Sequence, residues 1–437
     1  MGGDVSMEQC KRKLMLRCGE KQLAVTVPEG VRFQYAQLNP VQKCTDAAEV
    51  IRAALDEPVG AERIEQLVKP GQKICIISDD NTRKTPARLI LKELLPRLES
   101  AGIRREDILI VMALGSHRPM TKEEMVEKVG VDVFNRYRVC NSEFEDPEKL
   151  VQVGFSELGT PIRVFKPAME ADIRIGIGTV VPHGCMGWSG GAKILYPGIT
   201  SADIVSEFHV MQGLYEEILI GMDECPVRLA VEEWTQKIGL HYIINTILDD
   251  KLELYKAVSG DYVKAHRRAV SYAKEICAVS VQEQPDVVLT ASYPISLDYW
   301  QCSKAIYGPG RIIKEGGELL VLAACTEGIG PHDQLMEYLT IPDGAEALRK
   351  KVANGDTGED LLAMAVGISS GKVARRCHQT VISDGMDPAV CAVGNIACRA
   401  EADLQTTLEE ALARFDDPFL LIIPEGGEAL PLLSEVT

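Results

Sequence analysis

Three of the seven histidines stand near the ends of predicted elements, where an α/β protein carries its catalytic side chains. His117 lies in the run LGSHRPMT, His183 in VVPHGCMGWSGG, and His209 ends the helical run TSADIVSEFH. With a pKa near ~6.5, an imidazole can accept or donate a proton at neutral pH. Each histidine alone could equally be a surface or structural residue, and none has the HExxH spacing of a zinc site. The three are therefore candidates for acid–base chemistry or metal ligation.

A glycine-rich run, GWSGGAK at residues 187–193, is the densest chemical signal in the chain. Glycines allow close approach of a backbone to a ligand, and Lys193 follows them directly. A P-loop requires Gly before this lysine and Ser or Thr after it, where Ala192 and Ile194 stand. A dinucleotide fingerprint also fails, because GIG at 176–178 is followed by TVV. Lys193 is then either an exposed residue of a tight turn or a fixed cation or covalent anchor.

Two further clusters carry groups that could grip an anion. The run DDNTR at 79–83 follows a predicted strand, and Arg83 could hold a carboxylate or phosphate in a bidentate manner. The run DYWQCSK at 298–304 opens a predicted helix, on which Gln301 and Lys304 share a face. A polar turn with capping carboxylates and a solvated helix face are the respective structural alternatives.

The elements that must position these residues follow an α/β pattern. Short apolar runs at 73–77, 107–113 and 172–176 predict buried strands, and ARLILKELLPRLES after Pro86 predicts an amphipathic helix. Strands separated by helices indicate βαβ units and a parallel sheet. Ligands bind outside the carboxyl ends of such strands, which directs attention to the loops at 79–85, 115–121 and 179–198.

A second α/β series follows a helical stretch at 261–279, which carries the run HRR at 266–268 and has the pattern of a connector. Its predicted strands and helices are 286–290, 318–324, 344–353, 380–383, 404–414 and 419–423. A chain of 437 residues exceeds the ~250–300 residues of a single core. We expect two α/β domains with mainly parallel sheets, 1–275 and 276–437, and an active-site cleft between them.

Composition excludes several classes of protein. Lys and Arg number 47 against 64 Asp and Glu, so the net charge is −17, which disfavours binding to nucleic acid or anionic lipid. The longest apolar stretches are shorter than the roughly 18–20 residues that span a bilayer, and the first residues, MGGDVSMEQCKRK, resemble no signal peptide. The 13 cysteines form no CxxC pair. They are typical of a reducing compartment, and we expect a cytoplasmic protein.

Taken together, the motifs resemble the nickel-dependent lactate racemase family, the LarA type. The matching runs occur in sequence order and are SDDNTR, GSHRP, HGCMGWSGGAKILYPG, EFH and QCSK. The resemblance extends over most of the chain and is strongest between residues 73 and 210. Ala192 stands where the family can have Arg, and Trp300 stands where a Tyr occurs.

The resemblance implies a nickel-pincer nucleotide, a pyridinium mononucleotide with a 3-thioamide and a 5-thiocarboxylic acid arm that holds nickel. The implied roles are covalent tether for Lys193, nickel ligand for His209, acid–base catalysis for His117 and His183, cofactor support for Asp80, Gly190 and Gly191, and substrate-carboxylate binding for Arg83, Gln301 and Lys304. Other proteins must make this cofactor, so maturation proteins are the implied partners. The oligomeric state is not implied.

The implied activity is racemisation or epimerisation of a 2-hydroxy acid by proton-coupled hydride transfer. The α-hydrogen of such an acid is a poor proton, whereas its loss as hydride to the cofactor yields a planar keto acid that can take hydride back on either face. Two imidazoles serve the two orientations of the hydroxyl. Two alternatives are a protein that binds or stores the cofactor without turnover and a non-racemising enzyme that uses the same cofactor.

Overall fold

The computed structural model describes residues 12–42, 44–115, 117–295, 297–353 and 360–434. By their contacts these residues fall into two units. The first unit comprises the described residues of 40–208 and 221–276, and the second comprises those of 12–39, 209–220 and 277–434. No helix among the described residues is long and apolar enough to cross a membrane.

The strands are β1 Lys13–Cys18, β2 Lys21–Thr26, β3 Arg32–Tyr35, β4 Ile74–Asp79, β5 Ile108–Ala113, β6 Arg138–Asn141, β7 Leu150–Phe155, β8 Pro161–Phe165, β9 Ile173–Thr179, β10 Pro182–His183, β11 Gly187–Trp188, β12 Tyr242–Leu248, β13 Leu254–Gly260, β14 Ala278–Val281, β15 Val287–Ala291, β16 Gly317–Leu322, β17 Cys377–Ile382, β18 Ala397–Arg399, β19 Phe419–Ile423 and β20 Leu430–Leu433.

The α-helices are α1 Ala47–Asp56, α2 Ile64–Leu67, α3 Ala87–Ser100, α4 Lys122–Val129, α5 Val131–Arg136, α6 Lys166–Met169, α7 Ala202–Leu214, α8 Pro226–Ile238, α9 Lys264–Cys277, α10 Tyr299–Cys302, α11 Lys304–Ile312, α12 Leu335–Leu339, α13 Gly344–Ala353, α14 Leu361–Arg376, α15 Pro388–Val393 and α16 Leu404–Leu412. Short 3₁₀ turns occur at Arg105–Asp107, Pro147–Lys149, Gly191–Ile194 and Glu401–Asp403.

The first unit is built on a six-stranded sheet of order β13-β12-β9-β4-β5-β6, in which only β13 is antiparallel to its neighbour. At its centre Ile76 of β4 lies opposite Ile110 of β5 and Ile175 of β9, and all three are fully buried. Apolar side chains on strands buried on both faces favour a parallel sheet covered by helices. Because β4, β5 and β9 are parallel, the loops that follow them start at the same edge of the sheet.

The second unit is built on a six-stranded, fully parallel sheet of order β18-β17-β16-β15-β19-β3. Leu289 of β15 lies opposite Leu320 of β16 and Ile422 of β19 within one buried apolar cluster. The predicted α/β class with mainly parallel sheets is therefore confirmed.

Helix α3 shows how local sequence determines an element of this fold. Its span matches the predicted run, and its buried face consists of Ala87, Ile90, Leu91, Leu94, Leu95 and Leu98, which recur at helical spacing. The five Ile and Leu side chains of this face pack into the core cluster of the first sheet.

The division between the units differs from a simple cut near residue 275. Strand β3 pairs with β19, with Phe33 opposite Leu420, so residues 12–39 belong to the second unit. Residues 209–220 belong there too, since Val210 packs in a cluster with Leu348 and the Ile220 carbonyl accepts a bond from Arg311. The assignment of both segments to the second unit depends on contacts between residues far apart in the sequence.

Candidate active site

The loop after β4 is fixed around the carboxylate of Asp80, which is only 2% exposed. Its Oδ1 accepts hydrogen bonds from the backbone N–H of Thr82 at 3.1 Å and from the Thr82 hydroxyl at 2.5 Å. The Lys128 ammonium, reaching in from α4, donates to the carbonyl oxygens of Asp80 and Arg83 at 2.9 Å each. These bonds hold the loop in one conformation.

His117, from the loop after β5, pairs with this carboxylate. The distance from its Nδ1 to Asp80 Oδ2 is 2.7 Å. Burial opposes ionisation of Asp80, but the bond and charge of His117, the Thr82 hydroxyl and Arg83 outweigh it, so the pKa of Asp80 is lowered. An ionised Asp80 can only accept, so Nδ1 carries a proton, and in the neutral ring Nε2 keeps its lone pair. His117 is thus arranged as a base.

His183, in the two-residue strand β10, has a different environment. Its Nδ1 accepts the backbone N–H of Cys185 at 3.2 Å, and its Nε2 lies 2.8 Å from the Nζ of Lys193. With Nδ1 accepting, a neutral imidazole carries its proton on Nε2 and donates it to the amine. This arrangement requires an unprotonated Lys193.

The electrostatics of Lys193 favour that neutral amine. Burial, followed by the positive charges of Arg83 and Arg228, lowers its pKa to about 7, and Cys185 and Asp80 oppose the shift only in part. An unprotonated amine is the nucleophilic form of lysine. The charges of Arg83 and Asp80 therefore act at Lys193, which associates the loop after β4 with the glycine loop, defined here as residues 187–193.

The glycine loop lies on a platform of buried cationic and polar side chains. Three consecutive carbonyl oxygens, of residues 188–190, accept hydrogen bonds from below: Arg228 donates to Trp188 and Gly190, and the imidazole of His266 lies 2.8 Å from the Ser189 oxygen. His266 is fully buried, and burial followed by the charge of Arg228 holds its pKa well below the usual range. His266 is therefore a neutral donor that positions the loop before Lys193.

Packing explains the glycines at 190 and 191. Both have positive φ, +75° and +60°, which L side chains rarely adopt. A Cβ on Gly190 would lie 2.7 Å from Val180 and 2.9 Å from Asn245, and one on Gly191 would lie 2.8 Å from the His266 ring. Internal neighbours thus suffice to require both glycines, and their contact with a cofactor stays a prediction.

The remaining predicted site residues belong to the second unit. His209, on α7, has its ring centroid 6.3 Å from that of Trp300. The Nζ of Lys304 donates a hydrogen bond to the Oε1 of Gln301 at 2.7 Å. The structure thus associates Asp80, Arg83, His117, His183 and Lys193 in the first unit and His209, Gln301 and Lys304 in the second.

Several residues that shape the site were missed by the sequence reasoning. Lys128, Arg228 and Asn245 are polar residues within ordinary helices or strands and carry no local signal. His266 was noticed in the run HRR, but we predicted only a connector helix there. Among the described residues no group of three or more His, Cys, Asp or Glu side chains could hold a metal ion.

Comparisons of the whole chain with known proteins find lactate racemases. The model of the lactate racemase N-terminal domain matches residues 18–218. Lactate racemase of Lactiplantibacillus plantarum is 27% identical over 86% of this chain and 89% of its own, and that of Thermoanaerobacterium thermosaccharolyticum is 26% identical over 70% and 72%.

Solved structures show the same fold. The lactate racemase apoprotein of T. thermosaccharolyticum superimposes with a TM-score of 0.83 and 23% identity, covering 97% of this chain and all of that one. A protein from Thermotoga maritima superimposes with a TM-score of 0.68 and 21% identity, covering 90% of this chain and all of its own. In sequence the chain is thus similar to lactate racemases over most of its length, and it shares the fold of the lactate racemase apoprotein along nearly its whole length.

Proposed function

We propose that this chain is an isomerase that racemises or epimerises a 2-hydroxy acid. The observation that carries the proposal is the presence of two imidazoles in loops from one sheet edge, one paired with Asp80 and the other with Lys193. Two histidines with a purely structural role would not need the nucleophilic amine of Lys193 beside one of them. The names of the two curated relatives make lactate the first substrate to test.

The residues also suit a nickel-pincer nucleotide. Lys193 is a sound candidate for its covalent anchor, because an amine with a pKa of about 7 is largely unprotonated just above neutral pH. His209 offers an imidazole, a ligand suited to nickel, and the proposal needs only this one protein ligand. When bound, this cofactor supplies a reversible hydride acceptor. Its maturation proteins are then required partners.

Two residues of the chain would move the hydroxyl proton. The Nε2 lone pair of His117 would take the proton from the hydroxyl of one enantiomer, while Asp80 stabilises the imidazolium that forms. His183 would serve the other enantiomer, which requires its Nε2 to be released from Lys193 and the ring proton to move from Nε2 to Nδ1. A racemase needs both residues, since the hydroxyl points in opposite directions in the two enantiomers.

Three further residues would hold the substrate. Arg83 would bind the substrate carboxylate from the loop after β4, with a guanidinium suited to bidentate contact. Lys304 and Gln301, which are hydrogen bonded to one another, keep their proposed role in binding the substrate carboxylate. Gly190 and Gly191 keep their proposed role beside the cofactor.

The test is racemisation by protein expressed with the cofactor-making enzymes. We expect L-lactate carrying deuterium at the α-carbon, or another 2-hydroxy acid so labelled, to give its enantiomer with the label retained in ordinary water. A proton-abstraction racemase would wash the label out, which would contradict hydride transfer. If a fully loaded protein interconverted no acid in a wide panel, the proposal of racemisation would fail in favour of cofactor storage.

A further inference from the structure

Four side chains of the first unit are joined by hydrogen bonds, and one of them, Thr82, has no role in the proposed function. Its Oγ1 lies 2.5 Å from Oδ1 of Asp80 and 3.0 Å from Nη1 of Arg83. The other carboxylate oxygen of Asp80 lies 2.7 Å from Nδ1 of His117. We call these four residues the Thr82 network. The Thr82 hydroxyl lies between the proposed substrate-binding arginine and the carboxylate that orients the proposed base.

The chemistry of its members fixes the direction of each hydrogen bond in the Thr82 network. A guanidinium can only donate, so Arg83 donates to the Thr82 oxygen. An ionised Asp80, whose pKa is lowered, can only accept, so it takes the hydroxyl proton at Oδ1 and the Nδ1 proton of His117 at Oδ2. The single proton of the hydroxyl is thus committed to Asp80, and its lone pairs are left for Arg83. Each donor in the network therefore meets an acceptor.

The bonds to Thr82 also determine which edge of the Arg83 guanidinium can meet a substrate. Nη1 donates to the Thr82 hydroxyl and, at 3.3 Å, to the Thr82 carbonyl oxygen. No described residue accepts a hydrogen bond from Nε or Nη2 of Arg83. These two groups point the same way, at a spacing that matches the two oxygens of a carboxylate. Thr82 thus leaves a bidentate edge of Arg83 for the substrate.

The position of Thr82 allows its hydroxyl to be tested without disturbing the loop. The Asp80 side chain is 3% exposed, whereas Thr82 is an exposed residue. The backbone N–H of Thr82 also donates to Oδ1 of Asp80, at 3.1 Å, and this bond does not depend on the side chain. Valine has nearly the shape of threonine, so Thr82→Val removes the hydroxyl and keeps this backbone bond.

We propose that Thr82 is a positioning residue that couples the proposed substrate-binding residue Arg83 to the proposed base His117. Its hydroxyl fixes the guanidinium by accepting from Nη1, and it shares the carboxylate of Asp80 with the imidazole. The inference rests on the proposed function for the roles of Arg83 and His117, and it adds a residue that acts on both. Loss of the hydroxyl therefore weakens substrate binding and proton transfer together.

The first test is racemisation kinetics of the loaded enzyme. In Thr82→Val we expect kcat/KM to fall about 10–100-fold, through a lower kcat and a higher KM, because two hydrogen bonds to charged groups are lost. Thr82→Ser, which keeps the hydroxyl, should recover most of the rate. In the background of Asp80→Ala, where only the bond to Arg83 is left to lose, Thr82→Val should change KM alone. Thr406→Val, the same change at an exposed residue of α16, is the matched control.

The second test needs neither the cofactor nor turnover. The NMR shifts of the His117 ring nitrogens can be followed through the carbon-bound ring protons and assigned by their loss in His117→Ala. Thr82→Val should move the Nδ1 signal, because a carboxylate with one donor fewer accepts the Nδ1 proton more strongly. Thr82→Ser and the control Thr406→Val should leave this signal at its wild-type position.

Three results would each overturn the inference. They are wild-type kinetics in Thr82→Val, equal losses in Thr82→Val and Thr82→Ser, and an Nδ1 signal of His117 that Thr82→Val does not move. If loaded wild type racemised no 2-hydroxy acid, the proposed function would fail, and the Nδ1 signal would decide the coupling alone. A shift confined to Thr82→Val would support it, and equal signals in all variants would contradict it.

Discussion

The two candidate acid–base histidines occupy contrasting environments within one unit. His117 is held at Nδ1 by an ionised carboxylate, so Nε2 presents a lone pair. His183 accepts a backbone N–H at Nδ1 and has its Nε2 against the Lys193 amine. His117 is arranged to take a proton, whereas His183 must leave Lys193 and move its ring proton from Nε2 to Nδ1 before it can do so. In the proposed reaction the two bases would thus have the same task in different environments.

This contrast has a kinetic consequence. Two enantiomers have equal free energies, so kcat/KM must be the same in the two directions, whatever the environments of the bases. Any asymmetry between His117 and His183 can therefore appear only in kcat and KM taken separately.

Removal of either imidazole should have the largest effect. His117→Ala and His183→Ala should each reduce racemisation by about 10²–10⁴-fold, since one base cannot serve both orientations of the hydroxyl. Racemisation followed by chiral chromatography measures this. His378→Ala, at an exposed histidine of the second unit, is the control. Wild-type rates in either variant would show that the two-base assignment is wrong.

Asp80→Asn should sharpen the contrast by acting on one base alone. An amide can donate to Nδ1 of His117, which would place the ring proton on Nε2 and remove the base, so we expect a loss of about a hundredfold or more. Asp80→Glu should restore part of the rate. Steady-state kinetics in both directions should show unequal changes in kcat. Loss of the folded protein's circular dichroism in Asp80→Asn would instead indicate a structural role for the carboxylate.

Lys193 should differ from other lysines in its reactivity toward acylating reagents. Because its pKa is lowered to about 7, chiefly by burial, its acetylation by acetic anhydride should reach a plateau above about pH 8. Exposed lysines, with ordinary pKa values near ~10.4, should still accelerate there. Peptide mass spectrometry of protein made without maturation proteins gives the profile, with Lys237 as an internal reference. A profile parallel to that of Lys237 would contradict the neutral amine and with it the tautomer assigned to His183.

The smallest effect concerns the platform of buried side chains that supports the glycine loop. His266→Leu leaves the Ser189 carbonyl without its buried donor, which should lower the free energy of unfolding by about 1–3 kcal/mol. Urea denaturation measures it, and exposed His378→Leu should change it by less than about 0.5 kcal/mol. His266→Leu should also lower the yield of nucleotide-loaded protein. His266→Asn, which can still donate, should recover part of the lost stability and part of that yield. Equal free energies of unfolding for His266→Leu and wild type would show that His266 does not stabilise the glycine loop.

The local pattern of the sequence was sufficient to predict β4, β5 and β9 of the first sheet and β15, β16, β17 and β19 of the second. Helix α3 and strand β19 have the predicted bounds, because an amphipathic period and a short apolar run between turns are local signals. Strand β3 could not be placed in the second sheet, since nothing in RFQY indicates pairing with residues nearly four hundred positions away.

The candidate site divides in the same way. The runs around His117, His183 and Lys193 can be recognised in the sequence by their glycines and histidines and by their positions after strands. Arg228 and Asn245 carry no such mark, because their roles arise from buried hydrogen bonds to the backbone of the glycine loop. Tertiary packing, which local sequence does not encode, decides what such side chains contact.

The central claim is that Lys193 anchors a nickel-bearing nucleotide. The most direct measurement is intact mass with nickel analysis of protein from a host that carries the cofactor-making enzymes, beside Lys193→Ala and the exposed control Lys237→Ala. The account predicts a covalent adduct and about one nickel per chain in wild type and Lys237→Ala, and neither in Lys193→Ala. An unmodified wild-type mass, from a host shown to load another family member, would contradict it.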